Sequence, residues 1–399
     1  MKEDTLLVAL GRPTAAEPGP INYPVHRAST ILFEDLDRYL ERHSSKGDAE
    51  EKERIHYGAM GSCNSQSLAE AISAIEQGCG SVITSTGLSA ITMAFTAVLE
   101  AGDHLLLPDS IYGPARQFCL DTLRRFGIET SFYDPTVGAD IEHAIKDNTR
   151  LVHTEAPGSL TFEMQDIPAI VEVAHAKGAL VTMDNTWATP LYFRPLQHGV
   201  DISIQAGTKY ISGHSDLVIG AITAADPELF ATIRNHVNGF GDVASPDDCF
   251  LALRGLRSLS IRLARHQESA YKVVHWLTAC PQVKQVLWPA LETDIGHELW
   301  RRDFSGASSL FGLALHSEDE KAIKAMVDGL RLFRIGSSWG GYESLIAGNR
   351  SRDILRESRP WTDTPFLLRL HIGLEDPDDI IADLEAGFER LDAFQSAGA

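Results

Sequence analysis

The chain has 399 residues, of which 44% are hydrophobic and 23% are charged, which is ordinary for a soluble globular protein of two or three domains. Its 35 basic and 55 acidic side chains give a net charge of −20, which argues against nucleic acid and anionic membranes as partners. No apolar run is long enough to span a bilayer, and the acidic N-terminus does not have the pattern of a signal peptide.

The predicted elements fall into three consecutive regions. Residues 1–56 lack strong periodicity and contain a Pro- and Gly-rich stretch followed by a charged stretch, which is typical of an arm that packs on something else, such as a neighbouring subunit. Residues 57–245 form a predicted α/β domain. Residues 246–399 form a predicted smaller α+β domain, which begins with a long helical stretch at 247–279.

Strands and helices alternate through the second region. The predicted strands are 81–84, 104–107, 128–133, 151–155, 179–184 and 202–205, and the predicted helices are 66–77, 87–99, 114–126 and 167–176. This alternation predicts a mainly parallel sheet, covered by helices on both faces and joined by right-handed crossovers. In the third region, the predicted strands are 310–315 and 366–371, and a final amphipathic helix runs through residues 380–391.

One lysine follows a predicted strand among glycines and hydroxyl residues. Lys209 comes directly after Gly207 and Thr208, and Asp184 ends the strand before it in the chain. A partly desolvated lysine has a lowered pKa and is a good nucleophile, and a carboxylate can keep a pyridine nitrogen protonated. These are the two groups that an enzyme using pyridoxal phosphate (PLP) needs. Lys209 could instead be a solvated loop lysine, and Asp184 could instead be a helix cap or a structural carboxylate.

A third segment has the composition of a phosphate site. Residues 84–89, Thr-Ser-Thr-Gly-Leu-Ser, join a predicted strand to a predicted helix. Free backbone N–H groups at a helix start bind phosphate well, and hydroxyl groups add donors. An ordinary N-cap explains the segment alone, but Thr208 beside Lys209 offers a further hydroxyl.

Three other segments carry candidate ligand-binding side chains. Tyr112 follows a predicted strand and could stack on a flat cofactor or simply pack in a turn. Arg369 lies in an otherwise apolar strand, so its partner is either a substrate carboxylate or an internal acid. The glycine-rich loop 336–344 contains Trp339 and either lines a substrate pocket or forms a tight turn.

Cysteine and histidine spacing points away from metal chemistry. The five cysteines are scattered and form no C-x-x-C pair, so neither a disulfide framework nor a zinc site is indicated. The 15 histidines show no ligand spacing, and no metal is expected. We expect free thiols in the reducing cytoplasm.

Taken together, these segments resemble the Cys/Met-metabolism family of fold-type I PLP-dependent enzymes over nearly the whole chain. The most specific marks are Gly-His-Glu-Leu-Trp-Arg-Arg-Asp-Phe at 296–304, Ser-Trp-Gly-Gly-Tyr-Glu-Ser-Leu-Ile at 338–346 and Leu-His-Ile-Gly-Leu-Glu-Asp at 370–376. Within the family, the chain is most similar to the bacterial cystathionine β-lyases, because γ-acting relatives usually lack the tryptophan beside the glycine pair.

The resemblance implies a role for each candidate residue. The implied catalytic residues are Lys209, which holds PLP as a Schiff base and shuttles protons, Tyr112, which stacks on the ring, and Tyr57, which reaches into a neighbouring subunit's site. The other implied cofactor contacts are Asp184, Gly87, Leu88 and Thr208, and the implied substrate contacts are Ser338, Trp339 and Arg369. The enzyme would be an obligate homo-oligomer, a tetramer of two active dimers.

One position departs from the family pattern. Relatives have Tyr-Gly-Arg where this chain has Tyr57-Gly58-Ala59, and that arginine binds the PLP phosphate across the subunit interface. Loss of a charge-assisted hydrogen bond costs about 1.5–3 kcal/mol, or roughly ten- to a hundredfold in affinity. Lys52 and Arg54 are close in sequence, but nothing in the sequence assigns the lost role to either of them.

The implied reaction is β-elimination from cystathionine or a related cysteine S-conjugate, which yields a thiol, pyruvate and ammonia. A first alternative is a γ-elimination or γ-replacement enzyme of the same family, of the cystathionine γ-lyase, methionine γ-lyase or cystathionine γ-synthase type. A second alternative, prompted by Ala59, is a weakly catalytic PLP-binding protein.

Overall fold

The structure is a computed structural model, and it describes residues 1–13, 19–43, 55–358, 360–361 and 364–398. All structural statements below concern these residues. None of the helices among them is both long enough and apolar enough to cross a bilayer.

A seven-stranded sheet forms the centre of the first part of the chain. Its strands are β1 (Gly80–Thr84), β2 (His104–Pro108), β3 (Glu129–Tyr133), β4 (Thr149–Glu155), β5 (Leu180–Asp184), β6 (Ile202–Gln205) and β7 (Gly220–Ala224). Their order across the sheet is β1-β7-β6-β5-β4-β2-β3, and all neighbours pair in parallel except β7, which is antiparallel to both β1 and β6. The predicted, mainly parallel sheet is confirmed.

Helices cover both faces of this sheet, as predicted. Adjacent residues of a strand point to opposite faces, and on β2 the side chains of Leu105 and Leu107 pack in one hydrophobic cluster with Phe95, while Leu106 packs in another with Ile170. The helices are Glu3–Ala9, Leu36–His43, Cys63–Glu76, Gly87–Val98, Gly113–Asp121, Ile167–Ala176, Thr189–Tyr192, Pro227–Phe240, Pro246–Leu256, Leu259–Thr278, His297–Asp303, Glu320–Asp328 and Pro377–Gly398. Short 3₁₀ turns lie at Gly58–Met60, Leu123–Phe126, Gly138–His143, Pro195–His198 and Ser351–Asp353.

A second, five-stranded sheet lies in the last part of the chain. Its strands are β8 (Val283–Leu287), β9 (Leu310–Leu315), β10 (Arg334–Ile335), β11 (Leu345–Arg350) and β12 (Phe366–His371), in the order β10-β11-β12-β9-β8. All pairs are antiparallel except β10 with β11. One hydrophobic cluster runs from Met183 and Trp187 to Phe311, Leu370 and Leu391, so the two sheets share a core. The domain boundaries at residues 56 and 245 stay predictions.

The long helix predicted at 247–279 is two helices, Pro246–Leu256 and Leu259–Thr278. Close packing against the segment after Lys209 explains the break. A Cβ atom on Gly255 would lie 2.2 Å from the carbonyl oxygen of Ser212, so the first helix ends against that backbone. The buried Arg262 of the second helix donates to the carbonyl of Tyr210 at 2.6 Å and to that of Gly255 at 2.8 Å, which ties the helices to that segment.

Candidate active site

The ε-amine of Lys209 is partly buried beside the loop that precedes β11. It donates to Ser338 Oγ at 3.0 Å and lies 5.1 Å from the centroid of the Trp339 ring. Burial lowers the pKa of Lys209 to about 8, the Arg369 guanidinium acts in the same direction, and the Asp184 carboxylate opposes both. With this pKa, about a tenth of the amine is neutral at pH 7. An uncharged amine is the form that attacks a carbonyl carbon.

Backbone contacts fix the segment that carries this lysine. The Thr208 hydroxyl donates to the carbonyl of Ile219 at 3.1 Å and accepts from its N–H at 2.9 Å. One lone pair of the hydroxyl oxygen is then left for a further donor. Gly340 packs on the other side with φ +83°, and a Cβ atom there would lie 2.9 Å from the backbone carbon of Lys209. Only glycine meets both requirements at this position.

Two carboxyl groups end adjacent parallel strands beside the lysine. Asp184 on β5 pairs in register with Glu155 on β4. Burial raises the pKa of Asp184, but hydrogen bonds from the N–H of Thr186 at 3.0 Å and its hydroxyl at 2.5 Å, together with Lys209, favour the ionised form. Burial and the neighbouring Asp184 raise the pKa of Glu155 well above its usual range. Burial thus raises the pKa of both carboxyl groups, and Lys209 counters this effect at Asp184.

The sequence analysis missed Glu155. The carboxylate of this residue accepts from the backbone N–H of Tyr112 at 2.7 Å and so fixes the start of the helix Gly113–Asp121. The available signal in the sequence was an acidic residue at the end of the predicted strand that precedes the strand ending in Asp184.

Tyr112 lies beside these carboxyl groups and is 41% exposed. Burial, followed by Asp184 and Glu155, raises the pKa of the phenol, so it stays neutral.

Arg369 lies on β12 and reaches the same region. Its guanidinium donates to the carbonyl oxygen of Ser337 at 2.7 Å. Burial lowers its pKa, and nearby Tyr112 opposes that effect. No side-chain carboxylate lies within ion-pair distance of Arg369 in the part of the chain that the structure describes. The guanidinium therefore keeps donors for a ligand, which favours the substrate alternative over the internal acid.

The helix Gly87–Val98 begins against the segment before Lys209. Its N-cap, Thr86, accepts from the N–H of Ser89 at 2.8 Å. A Cβ atom on Gly87 would lie 2.6 Å from Cβ of Ala206, so glycine is needed for this close approach. The approach brings the helix start, including Gly87 and Leu88, close to the lysine segment, and such a start attracts anions.

Asp242 lies at this helix start and was not predicted as a site residue. The Asp242 carboxylate accepts from the backbone N–H of Ser85 at 3.1 Å and from the Ser89 hydroxyl. The chain therefore places a negative charge of its own beside the predicted phosphate site. Nothing in the local pattern around Asp242 signals this contact, because 153 residues separate it from Ser89.

Tyr57 lies apart from the buried cluster around Lys209. Its backbone forms a bridge with Thr30, and the residue is 53% exposed. Ala59 follows it in a single 3₁₀ turn. Lys52 and Arg54, the cations nearest to Ala59 in sequence, lie outside the described residues. The structure thus brings together Lys209, Asp184, Tyr112, Ser338, Trp339 and Arg369, while Tyr57 stands at the surface.

Comparison with known proteins gives the family. The sequence model of the family described as Cys/Met metabolism PLP-dependent enzyme matches residues 4–389. The chain belongs to this family. PLP is the cofactor of this PLP-dependent family. The amine of Lys209 fits its aldehyde, the carboxyl of Asp184 fits its pyridine nitrogen, and the close helix start at Gly87 fits its phosphate.

Relatives of the family align over almost the entire chain. A putative cystathionine beta-lyase of Rhizobium johnstonii is 45% identical over 98% of this chain and 96% of its own length. The cystathionine beta-lyase MetC of Escherichia coli is 39% identical over 98% and 99%, respectively. An L-alanine/L-glutamate racemase of Wolbachia pipientis is 40% identical over 98% of both chains.

Solved structures of the family have the same fold. A cystathionine gamma synthase from Xanthomonas oryzae, in complex with cystathionine, superposes with a TM-score of 0.88 at 33% identity. The match covers 98% of this chain and 99% of that one. The described residues contain no group of three His, Cys, Asp or Glu side chains that could hold a metal ion.

The charges around Lys209 make a testable prediction. In cofactor-free protein, acylation of Lys209 should follow a titration with its midpoint at about pH 8. Arg369→Gln should raise the midpoint, because a nearby positive charge is lost, and Asp184→Asn should lower it, because the ammonium loses a negative neighbour. Mass spectrometry of the labelled Lys209 peptide across a pH series measures the midpoint, with the exposed Lys272 as the reference for reagent activity. Unchanged midpoints in both variants would contradict the coupling.

Proposed function

We propose that the protein is a PLP-dependent carbon–sulfur β-lyase that cleaves cystathionine, or a related cysteine S-conjugate, to a thiol, pyruvate and ammonia. The observation that carries the proposal is the buried amine of Lys209 hydrogen-bonded to Ser338, with Trp339 and Arg369 beside it. The similarity to the cystathionine beta-lyase of Escherichia coli and to the putative one of Rhizobium johnstonii supports the reaction type.

Cofactor binding is assigned to residues of the large sheet and its helices. Bound PLP supplies an electron sink that stabilises negative charge at the substrate α-carbon. Lys209 would bind the aldehyde carbon, Asp184 would accept a hydrogen bond from the pyridine nitrogen, and Tyr112 would lie against the ring. The backbone N–H groups of Gly87 and Leu88 would hold the phosphate, together with the Thr208 hydroxyl.

Proton transfer is assigned to Nζ of Lys209. With a pKa of about 8, this amine can take a proton from the substrate α-carbon and return it later at neutral pH. Ser338 Oγ, which accepts from Nζ, keeps the amine on one side of the site. The neutral phenol of Tyr112 supplies a second group that can hold a proton at the edge of the same region.

Substrate binding is assigned to residues at the edge of the second sheet. Arg369 keeps donors that suit a carboxylate. It also contacts the carbonyl of Ser337, the residue before Ser338, whose hydroxyl is a further donor. Trp339 lies beside the amine and would pack against the substrate carbons. The site would therefore bind an α-amino acid through its carboxylate, and the thioether side chain would pack against Trp339.

We further propose that a second copy of the chain completes the site. Four apolar residues of the N-terminal region are each more than half exposed, namely Ile21, Leu32, Leu36 and Leu40. Exposed apolar surface of this kind suits an interaction with another chain. Tyr57, also exposed, would reach the partner's cofactor, and a tetramer of two such dimers would form. The five unpaired thiols support a reducing compartment, the cytoplasm.

The first prediction of this proposal concerns products. Purified protein supplied with PLP and cystathionine should release pyruvate and free thiol in equal amounts, measured by lactate dehydrogenase coupling and a thiol reagent. Lys209→Ala should abolish both, because the nucleophilic amine is lost, whereas Lys272→Ala on the surface should not. Release of 2-oxobutyrate would instead indicate γ-elimination, and racemisation without pyruvate would indicate the activity of the Wolbachia relative.

The second prediction tests whether Tyr57 acts across subunits. Neither Lys209→Ala nor Tyr57→Ala should be active alone. When the two are mixed and reassembled, half of the dimers carry both variants, and each of these has one intact site, so about a quarter of the wild-type activity should return. Mixing Lys209→Ala with Asp184→Asn is the control, because no intact site can form. Equal recovery in both mixtures, or none in the first, would place Tyr57 in its own subunit's site.

The third prediction concerns PLP affinity. Asp242→Asn removes a negative charge next to the proposed phosphate site and should tighten PLP binding about three- to tenfold. Ala59→Arg restores the missing cation and should tighten it roughly ten- to a hundredfold. Titration of cofactor-free protein, followed by visible absorbance, gives the dissociation constants. Glu268→Gln, an exposed acid elsewhere, controls for net charge. Unchanged PLP affinity in both variants would show that other groups already compensate the negative charge of the phosphate.

A further inference from the structure

A buried histidine of β12 lies directly behind the loop that carries Ser338 and Trp339. The backbone N–H of Gly340 donates to Nε2 of His371 at 3.1 Å. Burial lowers the pKa of His371 well below its usual range, so the ring is neutral. The proposed mechanism gives this residue no role, although His371 lies two positions from Arg369 on the same face of the strand.

Hydrogen bonding fixes one tautomer of this neutral ring. The Ser309 hydroxyl donates to the carbonyl of Ile372 at 2.7 Å, so its oxygen can accept from Nδ1 of His371 at 3.1 Å. Nε2 then carries no proton and accepts from Gly340. The opposite tautomer would donate to the carbonyl of Gly341 at 3.1 Å but would leave the buried N–H of Gly340 unpaired. An unpaired buried donor is costly, which favours the first arrangement.

Gly340 in turn touches the backbone of the catalytic lysine. Gly340 has a φ of +83°. A Cβ atom added to it would lie 2.9 Å from both the backbone carbon of Lys209 and the backbone nitrogen of Tyr210, so the contact is close. At the other end of the loop, Arg369 donates to the carbonyl of Ser337 at 2.7 Å. Ser338 and Trp339 therefore lie between Ser337, which Arg369 contacts, and Gly340, which His371 contacts.

We propose that His371 is a positioning residue for the reaction: by accepting the Gly340 N–H, it holds Ser338 and Trp339 against Nζ of Lys209. This inference rests on the proposed function. Displacement of a reacting group by about 1 Å can cost a hundredfold in rate. Loss of the acceptor should therefore impair substrate binding and proton transfer, while PLP binding, which uses other residues, should stay the same.

Two amide variants separate this hydrogen bond from mere space filling. The amide oxygen of His371→Gln reaches the position of Nε2 and can accept from Gly340. The shorter side chain of His371→Asn reaches only the position of Nδ1, so it keeps a partner for Ser309 and loses Gly340. Both variants place a neutral amide at the same buried site, which matches them in polarity.

Turnover of cystathionine is the first measurement. We expect kcat/KM of His371→Gln within about threefold of wild type, and that of His371→Asn lower by about 30- to 100-fold, with both kcat and KM affected. The dissociation constant for PLP should stay within about twofold in both variants. Equal losses in the two variants, or no loss in His371→Asn, would overturn the proposal, because His371→Asn loses the Gly340 contact and His371→Gln keeps it.

Amide hydrogen exchange in cofactor-free protein is the second measurement and needs no activity. The Gly340 amide should be protected in wild type and in His371→Gln and should exchange at least tenfold faster in His371→Asn. If His371→Asn does not fold, Ser309→Ala, which removes the partner of Nδ1, should also speed Gly340 exchange. Unchanged exchange would refute the contact. If wild type cleaves no thioether, the proposed function fails, and the exchange pattern still decides whether His371 holds Gly340.

Discussion

An amine held out of water between opposing charges is the condition on which this site depends. Burial and the Arg369 guanidinium favour the neutral form of Lys209, whereas Asp184 favours the charged form, and the balance leaves the pKa at about 8. A more exposed lysine would be almost entirely protonated at neutral pH, and one without Asp184 would lose its electrostatic partner. The neighbouring groups follow from this balance. Burial and Asp184 raise the pKa of Glu155, and Arg369 keeps its donors free of a described carboxylate.

Lys209 has these charged neighbours because the two sheets pack against a shared hydrophobic core. The large sheet ends β5 at Asp184 and places Lys209 after β6, whereas Ser338, Trp339 and Arg369 come from the second sheet and its loop. Parallel strands bring their carboxyl ends to the same edge, which is the usual place for ligands in α/β proteins. The second sheet closes over that edge, excludes water from the amine and supplies the groups that suit a substrate carboxylate. The helix start at Gly87 is the proposed phosphate site, and the Asp242 carboxylate lies beside it.

Much of this could be predicted from the sequence, because the signals are local. Alternating strands and helices predicted the mainly parallel sheet. Lys209 and Asp184 became site candidates because Lys209 follows a predicted strand and Asp184 ends one. The features that were missed depend on distant neighbours. The break at residues 257–258 reflects the packing of Gly255 on Ser212, which no helical periodicity encodes. The antiparallel β7 consists mostly of small residues with a weak strand pattern. Asp242 and His371 have hydrogen-bond partners that lie 153 and 31 residues away in the chain, which local sequence patterns cannot reveal.

Arg262 has a consequence for how the site is assembled during folding. This buried side chain joins the helix Leu259–Thr278 to the carbonyls of Tyr210 and Ile211, about fifty positions earlier in the chain. Contacts that span such distances must overcome loop-closure entropy before they contribute. A nascent chain released only as far as Tyr210 would therefore contain the lysine without the guanidinium that fixes its loop. The segment after Lys209 therefore gains this support only once the helix Leu259–Thr278 has been made.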